Sequence, residues 1–508
     1  MASWNRGYMS DIPYLCLHFI EQTPQFIDLA LLRSGIVPPV RHENMSYCEL
    51  GCGHGFTANI VAACHPEMTV HAVDFMPDHI AAARDLANEA GLTNIHFHDV
   101  GFDEFLAMRD IPQFDYITMH GVWSWVSQDV RDQIVAIVNA RLRAGGAFYM
   151  SYNALPGSAS ALPLQKLYFD LHRFMSGDSL SRIADVMTLT DRLIEKGAEF
   201  FKSHPKVEKR HGGLKKQSTA YFAHEYLNEN WSPSFLSDIC ENLSDARLTY
   251  AASADLASMT LLAEFEKQYG DIIENIPDPV ISEQIKDYVI DNSFRKDIFI
   301  RGPRKLPGVD LLGRLNNVQI TLLGAPDSYS NEFENSNRRF TMEKEPHAAL
   351  LKQLEKGPRS ISDLAASKGM DGISFSKLVN LVCCAIQAGQ IAHLRDAKDI
   401  GDTGPASRLN RAILRRAQSG EELNWLASPS AGYGIHCNPM NKIFFMTMKA
   451  GGDPAEAMME TCRLLRQHVM KDGKPVTDAD EAVKTLREAV EGFKSMRFKY
   501  MDKAGIAA

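Results

Sequence analysis

The sequence has 508 residues, which suggests roughly three domains because one hydrophobic core commonly serves about 150 residues. Its composition of 45% hydrophobic and 23% charged residues is typical of a globular protein, and the net charge of −9 disfavours nucleic acids and anionic membranes as partners. No apolar run reaches the roughly 18 residues of a membrane span, and the nine cysteines lack the spacing of a disulfide framework, which favours a reducing cytoplasm.

Strands and helices alternate along the first third of the chain. After a helical lead-in over residues 1–40, the apolar patterns predict strands at 45–50, 69–74, 95–98, 114–120 and 147–152, and helices at 56–64, at 78–90 and after Ser127. This alternation predicts a parallel sheet covered by helices on both faces, and therefore an α/β fold.

The pattern changes after Pro156-Gly157, where a helical insertion interrupts the sheet before its last two strands. Those strands are expected at 247–252 and 297–301, and a basic stretch from Lys202 to Lys216 is expected to be a solvated loop. Residues 325–342 are polar and resemble a linker or an edge segment. We therefore expect a core at 1–157 and 244–325, the insertion at 158–243, a winged-helix-like domain at 340–396 and an α-rich domain at 397–508.

A glycine-rich turn ends the first predicted strand, in Glu49-Leu50-Gly51-Cys52-Gly53-His54-Gly55. Glycines let the backbone approach a ligand closely, and the helix that follows favours a carboxylate at its N-terminus. Asp74, 23 residues after Gly51, ends the next strand, where a carboxylate can accept hydrogen bonds from a ribose diol, and Phe75 follows it. The pattern predicts S-adenosylmethionine as the cofactor.

Other ligands fit this turn less well. A dinucleotide fingerprint needs G-x-G-x-x-G, but Phe56 occupies the position of the third glycine, and no Lys-Ser/Thr pair follows as in a P-loop. The cysteines and histidines between Cys48 and His65 do not have the spacing of a zinc site, so we predict no metal. Cys383-Cys384 lies in an apolar helix and is expected to pack in a core.

The acceptor end of the cavity is expected where the fourth and fifth strands end. His120-Gly121-Val122-Trp123-Ser124-Trp125 follows the fourth strand, and Tyr152-Asn153 ends the fifth. A lysine amine attacks only when neutral, and burial in an aromatic slot lowers its pKa. We predict such a slot from Trp123, Tyr14 and Tyr152, assigned as catalytic residues, together with Trp125.

Three motifs together resemble bacterial class I methyltransferases that carry a methyltransferase regulatory domain. They are the glycine turn, the 114–126 segment and Ser151-Tyr152-Asn153-Ala154-Leu155-Pro156-Gly157; residues 221–227 resemble the opening of the regulatory segment. The group includes rickettsial protein-lysine methyltransferases that modify outer-membrane protein. The resemblance implies a Rossmann-like core, an insertion used in dimerisation, and middle and C-terminal domains.

The resemblance also implies roles for individual residues. Gly51, Gly53, Gly55 and Asp74 would hold the methionine part and the ribose, and Glu49 belongs to the same motif. Gly101 and Phe102 would lie at the adenine, and because Gly101 stands where many class I enzymes have an acid, backbone groups would recognise that base. His120 would lie near the methionine end.

Three functions remain open from the sequence. They are transfer of methyl groups to protein lysine, transfer to a small molecule, and regulation by a chain that binds S-adenosylmethionine without transfer. Domains beyond the core favour a protein substrate, since a small molecule needs only a closed pocket. A nucleic-acid amino methyltransferase would need an Asp/Asn-Pro-Pro-aromatic motif after the fourth strand, and the third winged helix has only Lys377 as a positive charge in its first two turns.

Overall fold

A computed structural model describes residues 16–258, 262–335 and 338–508, together with Gly7 and Ile12. Its largest element is a seven-stranded sheet with the order β3-β2-β1-β4-β5-β7-β6, in which β7 alone runs antiparallel to its neighbours. The strands are β1 (Ser46–Leu50), β2 (Thr69–Asp74), β3 (Ile95–Asp99), β4 (Phe114–Met119), β5 (Leu142–Asn153), β6 (Leu248–Ser253) and β7 (Phe294–Arg301). The predicted α/β fold with a Rossmann-like core is confirmed.

Helices connect the first five strands, as the apolar spacing predicted. They are α1 (Pro24–Arg33), α2 (Phe56–Cys64), α3 (Pro77–Ala90), α4 (Phe102–Ala107) and α5 (Gln128–Arg141). The fifth strand begins five residues earlier than expected, because Gly145 and Gly146 do not end the preceding helix but lie within the strand. A Cβ at Gly146 would lie 3.0 Å from the Asp115 carbonyl oxygen, so glycine permits the close approach to β4.

The insertion consists of five helices with their own apolar core. They are α6 (Leu162–Phe174), α7 (Ser179–Glu195), α8 (Glu199–Ser203), α9 (Pro205–Leu214) and α10 (Thr219–Tyr226). The basic stretch predicted as a loop is mostly helix α9, because Val207, His211 and Leu214 recur at helical spacing and are buried.

Four helices precede, connect or follow the last two strands of the main sheet. They are α11 (Leu236–Ser244), before β6, then α12 (Leu262–Glu274) and α13 (Pro279–Ile290), and finally α14 (Gly308–Asn316) after β7. Leu236, Ile239 and Leu243 of α11 are buried with the core strands. The insertion therefore ends before α11 rather than at residue 243.

The middle domain has the winged-helix-like order that was predicted. Its elements are β8 (Gln319–Leu322), the hairpin β9 (Glu332–Asn335) and β10 (Arg338–Thr341), α15 (Lys344–Leu354), β11 (Arg359–Ser360), α16 (Ile361–Ala365), α17 (Phe375–Gln387) and β12 (Ile391–Leu394). Strand β8 was assigned to the core, but it pairs with both β11 and β12. The middle domain thus begins earlier than predicted, and Cys383 and Cys384 lie in its core.

The C-terminal region packs directly on the helices that follow the glycine turn. Its elements are α18 (Gly404–Gln418), β13 (Trp425–Ser428), β14 (Tyr433–His436), α19 (Pro439–Lys449), α20 (Pro454–Leu464), β15 (Met470–Lys471), β16 (Lys474–Pro475), α21 (Ala479–Phe493), a π-helical turn (Lys494–Phe498) and α22 (Lys499–Lys503). Phe56 and Ile60 of α2 and Leu86 of α3 share one apolar cluster with this region. The C-terminal region therefore shares a hydrophobic core with the helices of the sheet domain.

Two general properties follow from the described residues. None of their helices is both long enough and apolar enough to cross a membrane. All nine cysteines are free thiols.

Candidate functional site

The turn between β1 and α2 depends on left-handed glycines. Gly51, Gly53 and Gly55 have φ values of 71°, 52° and 61°, which other residues rarely adopt. A Cβ at Gly51 would lie 2.5 Å from Val122 Cγ2, and the amide of Gly51 donates a hydrogen bond to the Val73 carbonyl at 2.8 Å. The turn is thereby held between β2 and the loop after β4, with open space beside Gly53.

Asp74, at the end of β2, fixes this turn from the side. Its Oδ2 accepts a hydrogen bond from the Gly53 amide at 2.8 Å, and its Oδ1 accepts one from the Met76 amide at 2.9 Å. His79 Nδ1 lies 3.5 Å from Oδ1. Each carboxylate oxygen can accept a further hydrogen bond, so Asp74 can bind a diol while it holds the turn.

Glu49 presents a buried carboxyl group to the same space. Its Oε1 accepts a hydrogen bond from Gln22 Nε2 at 3.2 Å, whereas Oε2 is buried and makes no hydrogen bond within the described part of the chain. Burial, with a smaller contribution from the charge of Asp74, raises the pKa of Glu49 to about 8. A buried carboxyl group with one unsatisfied oxygen is suited to binding an ammonium group.

The end of β3 contributes an acid that the sequence interpretation missed. Asp99 pairs in register with Asp74, and Asp99, Val100, Gly101 and Phe102 all line the cavity. The Gly101 amide donates to Glu104 Oε2 at 3.0 Å, which caps α4. The available acid is therefore Asp99, two residues before the position considered, and adenine recognition need not depend on backbone groups alone.

His120 lies after β4 as a neutral ring on the cavity wall. It stacks on Phe19 with a ring separation of 3.7 Å, and its Nδ1 shares a hydrogen bond with the Tyr149 hydroxyl at 2.9 Å. Burial, reinforced by the nearby charge of Lys296, lowers the pKa of His120 to about 3. The ring is uncharged at neutral pH, and together with Phe19 it lines the cavity.

The predicted aromatic slot needs correction. Trp123 is buried in the core behind the loop, with Arg131 above its ring, and Tyr152 is buried and donates to Asp297 Oδ2 at 2.7 Å. Neither residue lines the cavity, whereas Trp125 does. The loop forms a 3-10 turn over Trp123–Trp125, which sends the two indoles to different sides. Tyr14 lies outside the described residues.

A segment near the N-terminus completes the wall, and local sequence patterns did not reveal it. Leu17, Phe19 and Gln22 line the cavity, and the Phe19 amide donates to Thr57 Oγ1 at 3.1 Å. Glu21, in the same segment, forms an ion pair with Lys296, with 2.5 Å between Glu21 Oε1 and Lys296 Nζ. The sequence alone does not place Leu17, Phe19 and Gln22 in the wall, because their positions depend on contacts with elements that are distant in sequence.

These elements enclose a cavity of about 410 Å³ that is also lined by His224, Glu225 and Asn228 of the insertion. The glycine turn and helix α2 suit a carboxylate, Glu49 an ammonium, Asp74 a diol, and Asp99 with Phe102 an amino-substituted purine. These four groups are the parts of S-adenosylmethionine. Gly55, which begins α2, does not line the cavity; a Cβ there would lie 2.7 Å from Ala83 Cβ. No three metal-ligating side chains come together in the residues described.

Comparison with known sequences gives two family matches that adjoin along the chain. Residues 41–216 match a family described as "Methyltransferase domain", and residues 218–301 match one described as "Predicted methyltransferase regulatory domain". The second match covers α10, α11 and the last two strands of the sheet. It begins close to residues 221–227, where the resemblance placed the regulatory segment.

Two bacterial proteins are similar in sequence. An uncharacterized protein of Synechocystis sp. is 30% identical over 511 residues, covering 99% of this chain and 100% of that protein. An uncharacterized protein of Rickettsia prowazekii is 26% identical over 298 residues, covering 58% of this chain and 53% of that protein.

A solved structure shares the fold along nearly the whole chain. PKMT2 from Rickettsia typhi, in complex with AdoHcy, matches with a TM-score of 0.68 and 18% identity, covering 95% of this chain and 98% of that one. The family matches, the full-length relative and this shared fold agree with the site geometry. The chain belongs to the bacterial class I, S-adenosylmethionine-dependent methyltransferases that carry a methyltransferase regulatory domain.

Proposed function

We propose that this enzyme methylates the amino group of lysine side chains in a protein. The observation that carries the proposal is the aromatic wall at the methionine end of the cavity, formed by Phe19, His120 and Trp125. The neutral His120 ring adds no positive charge that would repel an ammonium group.

The chemistry of an amine acceptor fits this wall. An apolar stem packs favourably against rings, and desolvation lowers the pKa of the amine so that more of it is neutral. Aromatic faces also attract methylated ammonium groups. When bound, S-adenosylmethionine supplies a methyl group attached to a sulfonium, and the sulfur keeps the electron pair of the S–CH3 bond when that group is transferred. The residues of this chain bring the nitrogen into line and exclude water.

Similarity adds support. The motifs resemble those of rickettsial protein-lysine methyltransferases, and PKMT2 of Rickettsia typhi shares the fold over 95% of this chain. The added middle and C-terminal domains favour a macromolecular acceptor over a small molecule.

A label-transfer assay tests the proposal. The full chain is incubated with methyl-labelled S-adenosylmethionine and a lysate of the source cell, with and without prior protease treatment, and labelled protein is hydrolysed for amino-acid analysis. We expect label in Nε-methyl-lysine that is lost after protease treatment and with Asp74→Ala. Label found only in small molecules would refute the lysine assignment and favour a small-molecule methyltransferase.

We also propose a cytoplasmic homodimer formed through the insertion. Phe174 and Leu180, at the α6–α7 connection of the insertion, are 81% and 58% exposed and would be covered in such a dimer. The free thiols are consistent with a reducing compartment. Light scattering should give twice the chain mass, falling to one chain for Phe174→Asp; a monomeric wild type would refute the dimer.

A further inference from the structure

Helix α10 of the insertion brings a carboxylate to the cavity. Glu225 is partly buried and lines the cavity, as do His224 and Asn228 close to it in the chain. Phe222 and Tyr226 of the same helix pack into the apolar core of the insertion, which fixes the helix in place. Within the described ranges no hydrogen bond or ion pair engages the Glu225 carboxylate.

The chain shortly after α10, at residues 231 and 232, packs against the loops that follow β4 and β5. Trp231 Nε1 donates to Asn153 Oδ1 at 3.0 Å, at the end of β5, and the Trp231 ring stacks on Trp125 at 6.0 Å. The Ser232 amide donates to the Ser124 carbonyl at 2.9 Å. These contacts place the segment over the ends of β4 and β5, away from the β2 and β3 ends that would hold ribose and adenine.

We propose that Glu225 binds the amino group of the acceptor and takes up the proton that this group loses before methyl transfer. The inference rests on the proposed lysine acceptor. The N–H bond of the ammonium breaks, its electron pair stays on nitrogen as the lone pair that forms the new N–CH3 bond, and the proton is held on a Glu225 oxygen. The proton passes to water after the product leaves.

The surroundings of Glu225 suit this role. Burial raises the pKa of Glu225 to about 7, against a smaller opposite effect from the charge of Arg210 on α9. His224, next in the chain, shares a hydrogen bond with the Ile12 carbonyl at 2.8 Å. Residues 8–11 and 13–15 lie outside the description. Proton transfer from a lysine ammonium, with its usual pKa of about 10.4, to a carboxylate with the usual pKa of about 4.3 has an equilibrium constant of about one in a million. The raised pKa of Glu225 improves this to about one in a thousand.

A binding experiment isolates this subsite from catalysis. The full chain is saturated with AdoHcy, and n-butylamine, which reproduces the end of a lysine side chain, is titrated in by calorimetry at pH 7.5, with 1-butanol as the uncharged analogue. We expect Glu225→Gln to weaken butylamine binding at least about tenfold while leaving butanol and AdoHcy binding unchanged. Glu225→Asp, which retains the charge, should keep part of the preference. Glu229→Gln makes the same charge change at an exposed position four residues along and should bind like the wild type.

The outcomes separate this inference from the proposed function. Equal butylamine binding by wild type and Glu225→Gln would overturn the inference, as would a wild type that prefers butanol. Butylamine binding that depends on Glu225, combined with label only in small molecules, would support the amine subsite and overturn the lysine acceptor. If protein lysine is labelled, kcat/KM in wild type should level off above about pH 7, whereas in Glu225→Gln it should keep rising towards the pKa of the amine, which must then lose its proton to water.

Discussion

Cofactor binding should release a proton from Glu49. With a pKa of about 8, this carboxyl group is about 90% protonated at pH 7 in the free protein. The ammonium group of the bound cofactor favours the carboxylate form and lowers that pKa. If the bound value falls well below 7, each binding event at pH 7 releases about 0.9 of a proton. The buried, unsatisfied Oε2 is the atom positioned to gain the ammonium hydrogen bond.

Calorimetry measures this directly. Binding enthalpies of S-adenosylmethionine are recorded in buffers of different ionisation enthalpy. The slope of the binding enthalpy against the buffer's ionisation enthalpy gives the number of protons released. Because a proton leaves on binding, affinity should rise by up to about tenfold per pH unit below pH 8. Glu49→Gln should bind about 10- to 100-fold more weakly, as expected for a lost charge-assisted hydrogen bond, with a slope near zero.

The exposed Glu43 provides a matched control, since Glu43→Gln makes the same change nearby and should keep the wild-type slope. A slope near zero in the wild type would refute the reasoning. So would an unchanged slope in Glu49→Gln, because the proton would then come from another group.

Four further variants test the rest of the site. Gly51→Ala and Gly53→Ala share a left-handed backbone cost of about 1 kcal/mol, but only the first Cβ meets Val122, at 2.5 Å, so calorimetry should give Gly51→Ala the lower Tm; equal Tm values would contradict this. Asp74→Ala should weaken S-adenosylmethionine binding by about 1–3 kcal/mol per lost hydrogen bond, and unaltered affinity by calorimetry would remove the ribose assignment. Trp125→Ala should keep cofactor affinity and lower label transfer about tenfold, or ~1.4 kcal/mol; unchanged turnover would exclude it from the acceptor wall.

The parts of the site that the sequence predicts are those built within a few residues of chain. The glycine turn and Asp74 follow from strand endings and from the conformations that only glycine adopts readily. The same reasoning would have found Asp99, because it ends the strand paired with that of Asp74. The sequence prediction places adenine recognition two residues later, at Gly101, and therefore misses Asp99.

Other features depend on which way a side chain turns in an irregular segment. Trp123 and Trp125, separated by one residue, cannot be assigned to wall or core until the 3-10 turn that contains them is known. Phe19 and Glu225 reach the cavity from elements far away in sequence, and no local period marks them. The basic stretch was misassigned because its charges outnumber the buried Val207, His211 and Leu214 that make α9 a helix.

The N-terminal segment connects the cavity wall to the middle and C-terminal domains. Phe19 and Gln22 face the cavity, while His18 accepts a hydrogen bond from the Gly434 amide at 3.1 Å and Glu21 accepts one from Gln387 Nε2 at 3.3 Å. One face of the segment is thus cofactor wall and the other is held by the C-terminal and middle domains. Removing those domains would take away these two hydrogen bonds, while Phe19 would keep its bond to Thr57 and Glu21 its ion pair with Lys296. The wall is therefore stabilised both by the core and by domains that do not line the cavity, so deleting the added domains should weaken cofactor binding even though no residue of the cavity lining is lost.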